Sequence, residues 1–174
     1  MTSHVFRICF VCSGNICRSP TAEVVLIQQL RLAGLAAGVQ VGSAGTGGWH
    51  AGEDMDERSR ATLDAAGYLP PTHVAKQFTA ADFAERDLVI ALDRGHQRLL
   101  EELAGETEDP AANRAKVVLL RYYDPHSRGH GDDWDVADPY YGGDDGFTDV
   151  LAQIERSCAA LVEELRAPRS ARQP

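Results

Sequence analysis

The sequence predicts an α/β fold: a single three-layer domain with a four-stranded parallel sheet and helices on both faces. Three observations lead there. Apolar runs at Val5–Val11, Val39–Thr46, Asp87–Leu92 and Ala115–Leu120 alternate with helical stretches. Each unit is too long for a hairpin, so right-handed βαβ crossovers follow. The run "DLVIAL" is almost continuously apolar, as a strand buried on both faces must be. Finally, 174 residues of 44% hydrophobic composition are enough for one sizeable core.

The first unit, "VFRICFVCSGNICRSPTAEVV", organises the rest. A strand ends near Cys12, a polar loop turns, and Ser19 offers an N-cap oxygen with Pro20 in the first helical turn. The loop thus lies between a strand's C-terminal end and a helix's N-terminal end. Exposed amides and the helix dipole make that place favourable for an anion. Five residues separate Cys12 from Arg18, the spacing of a loop that wraps a tetrahedral oxyanion and closes over it with a guanidinium. The same positive field favours the Cys12 thiolate, a nucleophile. Gly14 permits unusual backbone geometry, and Asn15 tolerates left-handed φ while bonding the loop to itself.

The helix expected over Ser19–Leu32 carries Ala22, Val25, Leu26, Leu30 and Ala33 on one stripe, ended by Gly34 and Gly38. A glycine-rich loop then presents Trp49 and His50, and a ring in such a turn covers core or is exposed for binding. Met55 to Gly67 reads as an amphipathic helix. His73 reads as a surface histidine, and Thr79 caps a short helix. Asp93 caps the helix Arg94–Leu103 and sits on the site side of the sheet. The last helix is expected over Asp149–Arg166, with Val150, Ile154, Leu161 and Leu165 inward. The tail "APRSARQP" has a disordered composition, which gives a domain of residues 1–167 and a tail of 168–174.

A net charge of −9 disfavours polyanionic partners, so neither nucleic acid nor an acidic membrane is expected. The four cysteines, Cys9, Cys12, Cys17 and Cys158, form no secreted disulfide framework. With no signal peptide or spanning segment visible, the expected location is the cytoplasm, export by a non-signal route aside.

"VCSGNICRSPTAE" resembles the signature C-x-G-N-x-C-R-S-P of the low-molecular-weight protein tyrosine phosphatases, matching every position of it. Further landmarks follow in order: "SAGTGGWH" from Ser43, "ALD" ending at Asp93, and "DPYYG" from Asp138. The resemblance spans nearly the whole chain to about Ala167. It implies strand order 2-1-3-4 and substrate contacts from Ser13, Gly14, Asn15, Ile16 and Cys17 of the loop. Trp49 on one side and Tyr140 and Tyr141 on the other would wall a phosphotyrosine cleft. Ser19, Ser43, His73 and Asp93 would support the loop, His73 by bonding Asn15 or Ser19. The implied substrate is a phosphotyrosine protein, with inorganic phosphate as product, a cognate tyrosine kinase as candidate partner, and a monomeric enzyme needing no metal or cofactor.

That chemistry needs an acid for the leaving phenolate. The Asp- and Gly-rich stretch from Tyr122 to Phe147 holds seven aspartates, Asp124, Asp132, Asp133, Asp135, Asp138, Asp144 and Asp145. Their spacing does not match an EF-hand. Asp138, stiffened by Pro139, is the candidate acid. Cys17 either fills space beneath the loop or forms a protective disulfide with Cys12 under oxidation. Cys9 and Cys158 read as buried small hydrophobes.

Rival readings are an arginine phosphatase of the same family, a phosphocysteine carrier, an arsenate reductase and a binding-only relative. The arginine enzymes resemble C-x-G-N-T-C-R-S-P, with Thr where this chain has Ile16. A carrier needs no acid such as Asp138. A reductase needs further relay cysteines, absent between Cys17 and Cys158. A binding-only relative would lack the nucleophile.

Overall fold

The structure, a computed structural model, describes residues 4–127 and 133–167. The expected tail and Asp132 lie outside the described residues. Four parallel strands, β1 (Phe6–Cys12), β2 (Val39–Gly45), β3 (Leu88–Ala91) and β4 (Val117–Leu119), form one sheet in the order β2-β1-β3-β4. Around it lie α1 (Arg18–Leu32), α2 (Glu57–Ala65), α3 (Arg94–Ala104), α4 (Pro110–Ala115) and α5 (Asp144–Arg166). No helix among the described residues is long and apolar enough to cross a membrane.

Period-2 alternation along β1 divides the core. Ile8, Phe10 and Cys12 join Leu26 and Leu30 of α1 and Ile154 and Leu161 of α5 on one face. Cys9 and Val11 join Phe83, Val89 and Leu100 on the other. Burial on both faces accounts for the continuous apolar runs. Because the central pair β1 and β3 both end toward the same edge, Cys12 and Asp93 emerge side by side there.

Three local expectations are corrected. Helix α1 begins at Arg18 with Cys17 in the cap position, so the Ser19 side chain caps nothing and is free for other partners. Helix α5 begins at Asp144, five residues before Asp149, because two carboxylates in the first turn suit the positive end of the dipole. The fourth strand is only Val117–Leu119. The residues before it form α4, whose Asp109 cap and Pro110 at the first turn were a readable helix start. Three carboxylates of the acidic stretch pair with arginines. Asp124 is buried against Arg121 and Arg156, Asp133 meets Arg121, and Asp135 meets Arg94.

Candidate active site

At the end of β1 the chain turns through Ser13–Cys17 into α1. Asn15 takes φ 57°, the only positive φ at a non-glycine among the described residues. A web of bonds holds it there. Its Nδ2 donates to Ser19 Oγ and to Ser43 Oγ, both at 2.9 Å, and its Oδ1 accepts from the Lys76 backbone N–H at 3.0 Å. The Asn15 carbonyl meets His73 Nε2 at 2.7 Å, so of the two partners proposed for His73 the structure gives Asn15. Ser43 in turn donates to the carboxylate of Glu23, a member of the web that sequence reasoning missed.

Gly14 is not among the left-handed glycines, and what its missing side chain leaves room for is the His50 ring. A Cβ there would stand 2.8 Å from His50 Cδ2. Gly45, also overlooked, ends β2 where a Cβ would be 2.6 Å from the Ser13 carbonyl oxygen. The "SAG" landmark therefore owes its glycine to the loop pressing on β2.

The Cys12 sulfur lies 3.0 Å from Ser19 Oγ, whose hydroxyl also reaches the Ala44 carbonyl at 3.2 Å. One hydroxyl proton can serve only one of them at a time. Arg18 is buried, with Nη1 donating to Asp93 Oδ2 and to the Val136 carbonyl, both at 2.9 Å. Its Nη2 lies 3.4 Å from Asp138 Oδ2. Asp93 both caps α3, accepting from the His96 N–H at 2.8 Å, and anchors Arg18, so the two roles weighed for it coexist.

His96 is a further residue that sequence reasoning missed. Its Nε2 meets Ser13 Oγ at 2.8 Å and its Nδ1 lies 3.1 Å from Asp93 Oδ1. Burial, helped by the Arg18 charge, pushes its pKa down to about 4 against the pull of Asp93. The ring is neutral near neutral pH. Only the i, i+3 spacing from Asp93 could have flagged it.

These groups surround a cleft of about 400 Å³. Its lining is Cys12, Ser13, Gly14, Ile16, Cys17 and Arg18 from the loop, together with Trp49, His50, Asp138, Tyr140 and Tyr141. Trp49 is 73% exposed and Tyr141 91% exposed, so neither ring is held as core. Tyr140 and Tyr141 meet edge to face at 4.9 Å between centroids. The cleft therefore combines a guanidinium with three aromatic rings, a lining suited to an aryl group bearing a compact anion. Cys17, buried, has its thiol pushed up to about 12 by desolvation, and burial likewise raises Cys9 and Cys158. All four thiols are free.

The family model for low molecular weight phosphotyrosine protein phosphatase matches residues 7–171. A low molecular weight protein-tyrosine-phosphatase of Streptomyces coelicolor is 49% identical over 161 residues, covering 92% of this chain and 94% of that protein. Among solved structures, a protein tyrosine phosphatase from Entamoeba histolytica, with Hepes in its active site, superimposes with a TM-score of 0.82 at 29% identity. That match covers 92% of this chain and 97% of the other. The YwlE arginine phosphatase of Bacillus subtilis matches with a TM-score of 0.77 at 27% identity, over 95% and 99% of the two chains. With the loop, the sheet order and the match over nearly its whole length in agreement, the chain belongs to the low-molecular-weight phosphotyrosine protein phosphatase family.

Proposed function

We propose that the chain is a protein-tyrosine phosphatase acting through a cysteinyl-phosphate. The observation that carries this reading is that Cys12, Arg18 and Asp138 line one cleft, with Asp138 Oδ2 3.4 Å from the Arg18 guanidinium. A phosphoryl group bound between them meets the thiolate on one face and an acid on the opposite side.

In the first step the Cys12 thiolate attacks phosphorus as the bond to the phenolic oxygen breaks. The proton of Asp138 passes to that oxygen, and tyrosine leaves. Arg18 and the loop amides take up charge on the equatorial oxygens. The Ser19 hydroxyl turns from Ala44 to donate to sulfur while the thiolate is present. In the second step the ionised Asp138 removes a proton from water, which displaces the thiolate from phosphorus and releases inorganic phosphate. Trp49, Tyr140 and Tyr141 hold the ring. A tyrosine kinase is the class of enzyme that must supply such a substrate, and one chain contains the complete cleft.

Cys12 must be ionised while Asp138 is protonated, so the rate passes through a maximum as pH is varied. The test is hydrolysis of phosphotyrosine, phosphoserine and phosphoarginine peptides across pH by the wild type, Cys12→Ser and Asp138→Ala. Phosphotyrosine turnover is expected to vanish in Cys12→Ser and to fall by about 10²–10⁴-fold in Asp138→Ala. Preference for phosphoarginine would overturn the aryl reading of Ile16 and the aromatic rings while leaving the nucleophile in place.

A further inference from the structure

We infer that Arg58 is a positioning residue that holds the Asp138 turn over the cleft; the inference rests on Asp138 being the general acid. Arg58 lies on α2, remote in sequence from both the loop and the acid, and nothing in the motif at residues 12–20 points to it.

Its partners join the two halves of the site. The Asp56 backbone N–H donates to the carbonyl of Ile16, in the anion loop, at 2.8 Å. The Asp56 carboxylate grips Arg58 at both ends of the guanidinium fork, Nε to Oδ1 at 3.1 Å and Nη2 to Oδ2 at 2.9 Å. Held this way, Arg58 aims Nη1 at the Tyr140 carbonyl, 3.1 Å away. The same guanidinium lies 5.4 Å from the centre of the Tyr140 ring and 4.6 Å from that of Phe147. Tyr140 then donates its backbone N–H to Asp138 Oδ1 at 3.1 Å, and Asp138 Oδ2 faces Arg18. The path closes on itself: Ile16, Asp56, Arg58, Tyr140, Asp138, Arg18.

Asp138 has only weak constraints of its own. Its side chain is 45% exposed, and it meets the Tyr140 N–H and the Arg18 guanidinium. When Asp138 is protonated for catalysis, its attraction to Arg18 weakens. The turn must then be held from outside, and Arg58 is placed to do so through the next-but-one peptide. A planar fork suits this task because it satisfies a carboxylate and a carbonyl while stacking on a ring, which an ammonium cannot do.

The measurement is kcat/KM on two aryl phosphates, phenyl phosphate with a poor leaving group and 2,4-dinitrophenyl phosphate with a good one, for wild type, Arg58→Met, Arg58→Lys and Asp138→Asn. A misplaced acid matters only where the leaving oxygen needs its proton. Arg58→Met is expected to lose about tenfold on phenyl phosphate and under about threefold on dinitrophenyl phosphate, a fraction of the general-acid effect. It is also expected to flatten the alkaline side of the kcat/KM profile. Arg58→Lys is expected to fall between. Equal losses on both substrates, or none, with Asp138→Asn still discriminating between them, would overturn the role of Arg58 and leave the general acid standing. If Asp138→Asn also failed to discriminate, the general-acid reading would fall and the inference with it.

Discussion

Arg18 and Asp93 share a 2.9 Å ion pair that ties the anion cradle to the start of α3. The other Asp93 oxygen caps that helix by accepting the His96 N–H. The two tasks can be separated by mutation. Asparagine caps as well as aspartate, so Asp93→Asn keeps the cap but removes the charge facing Arg18. We expect inhibition by inorganic phosphate and kcat/KM each to weaken by about tenfold, with Arg18 free to shift. Asp93→Ala adds a further loss of ~1 kcal/mol in stability from the cap. Urea unfolding beside phosphate inhibition checks both; equal stability loss in the two variants would count against the cap.

His96 gives the protein a defined acid sensitivity. Its folded pKa, about 4, lies below the ordinary 6.5 because burial disfavours the imidazolium. Below pH 6.5 the unfolded chain takes up a proton that the folded chain refuses, so stability falls as pH drops from 6.5 toward 4 and then levels off for this residue. The full effect is up to ~3 kcal/mol. His96→Gln is expected to flatten the midpoint of urea unfolding across that window. A slope unchanged in the variant would assign the acid sensitivity elsewhere.

The site was legible in the sequence where chemistry fixes residue type at short range, and less so where it depends on approach in space. Cys12, Asn15 and Arg18 lie in one loop, and their spacing alone specifies a cradle. Parallel strands fully buried read as apolar runs, so the sheet was legible too. Ser19 was misread as a cap because a serine before a proline satisfies the local rule, whereas its hydroxyl has tertiary partners in Asn15, Cys12 and Ala44. His96, Glu23 and Arg58 escaped the sequence because the partners that tie them to the site, Ser13, Ser43 and Tyr140, are 83, 20 and 82 positions away. The Asp144 start of α5 was hidden by the acidic composition around it.

Asn15 joins a left-handed backbone to a fully buried amide, so the two contributions can be separated. Asn15→Gly relieves the φ of 57° but loses the bonds to Ser19, Ser43 and Lys76. Asn15→Ala loses the bonds and keeps the strain. Both are expected to lower stability and activity, with alanine worse than glycine by ~1 kcal/mol. The loss common to both, about 2–3 kcal/mol, reflects the stranded polar partners. Thermal melting of both variants measures the difference; alanine more stable than glycine would contradict the left-handed geometry.

The burial of Cys17 sets the rate at which it could protect Cys12. Peroxide would convert the Cys12 thiolate to a sulfenic acid, releasing hydroxide. Attack by the Cys17 sulfur would then form the disulfide and release water. Burial holds the Cys17 thiol up to about 12, so at neutral pH it is a thiol and is not itself the first target. Its thiolate fraction rises about tenfold for each pH unit below that value, and the attack rate with it. Activity recovered by dithiothreitol after a fixed peroxide pulse is therefore expected to be greater at pH 8 than at pH 7. In Cys17→Ala recovery is expected to be lost at both, as Cys12 advances to sulfinic acid. Recovery undiminished in Cys17→Ala would mean that Cys17 only fills the space beneath the loop, among Ile16, Ala75 and Phe147.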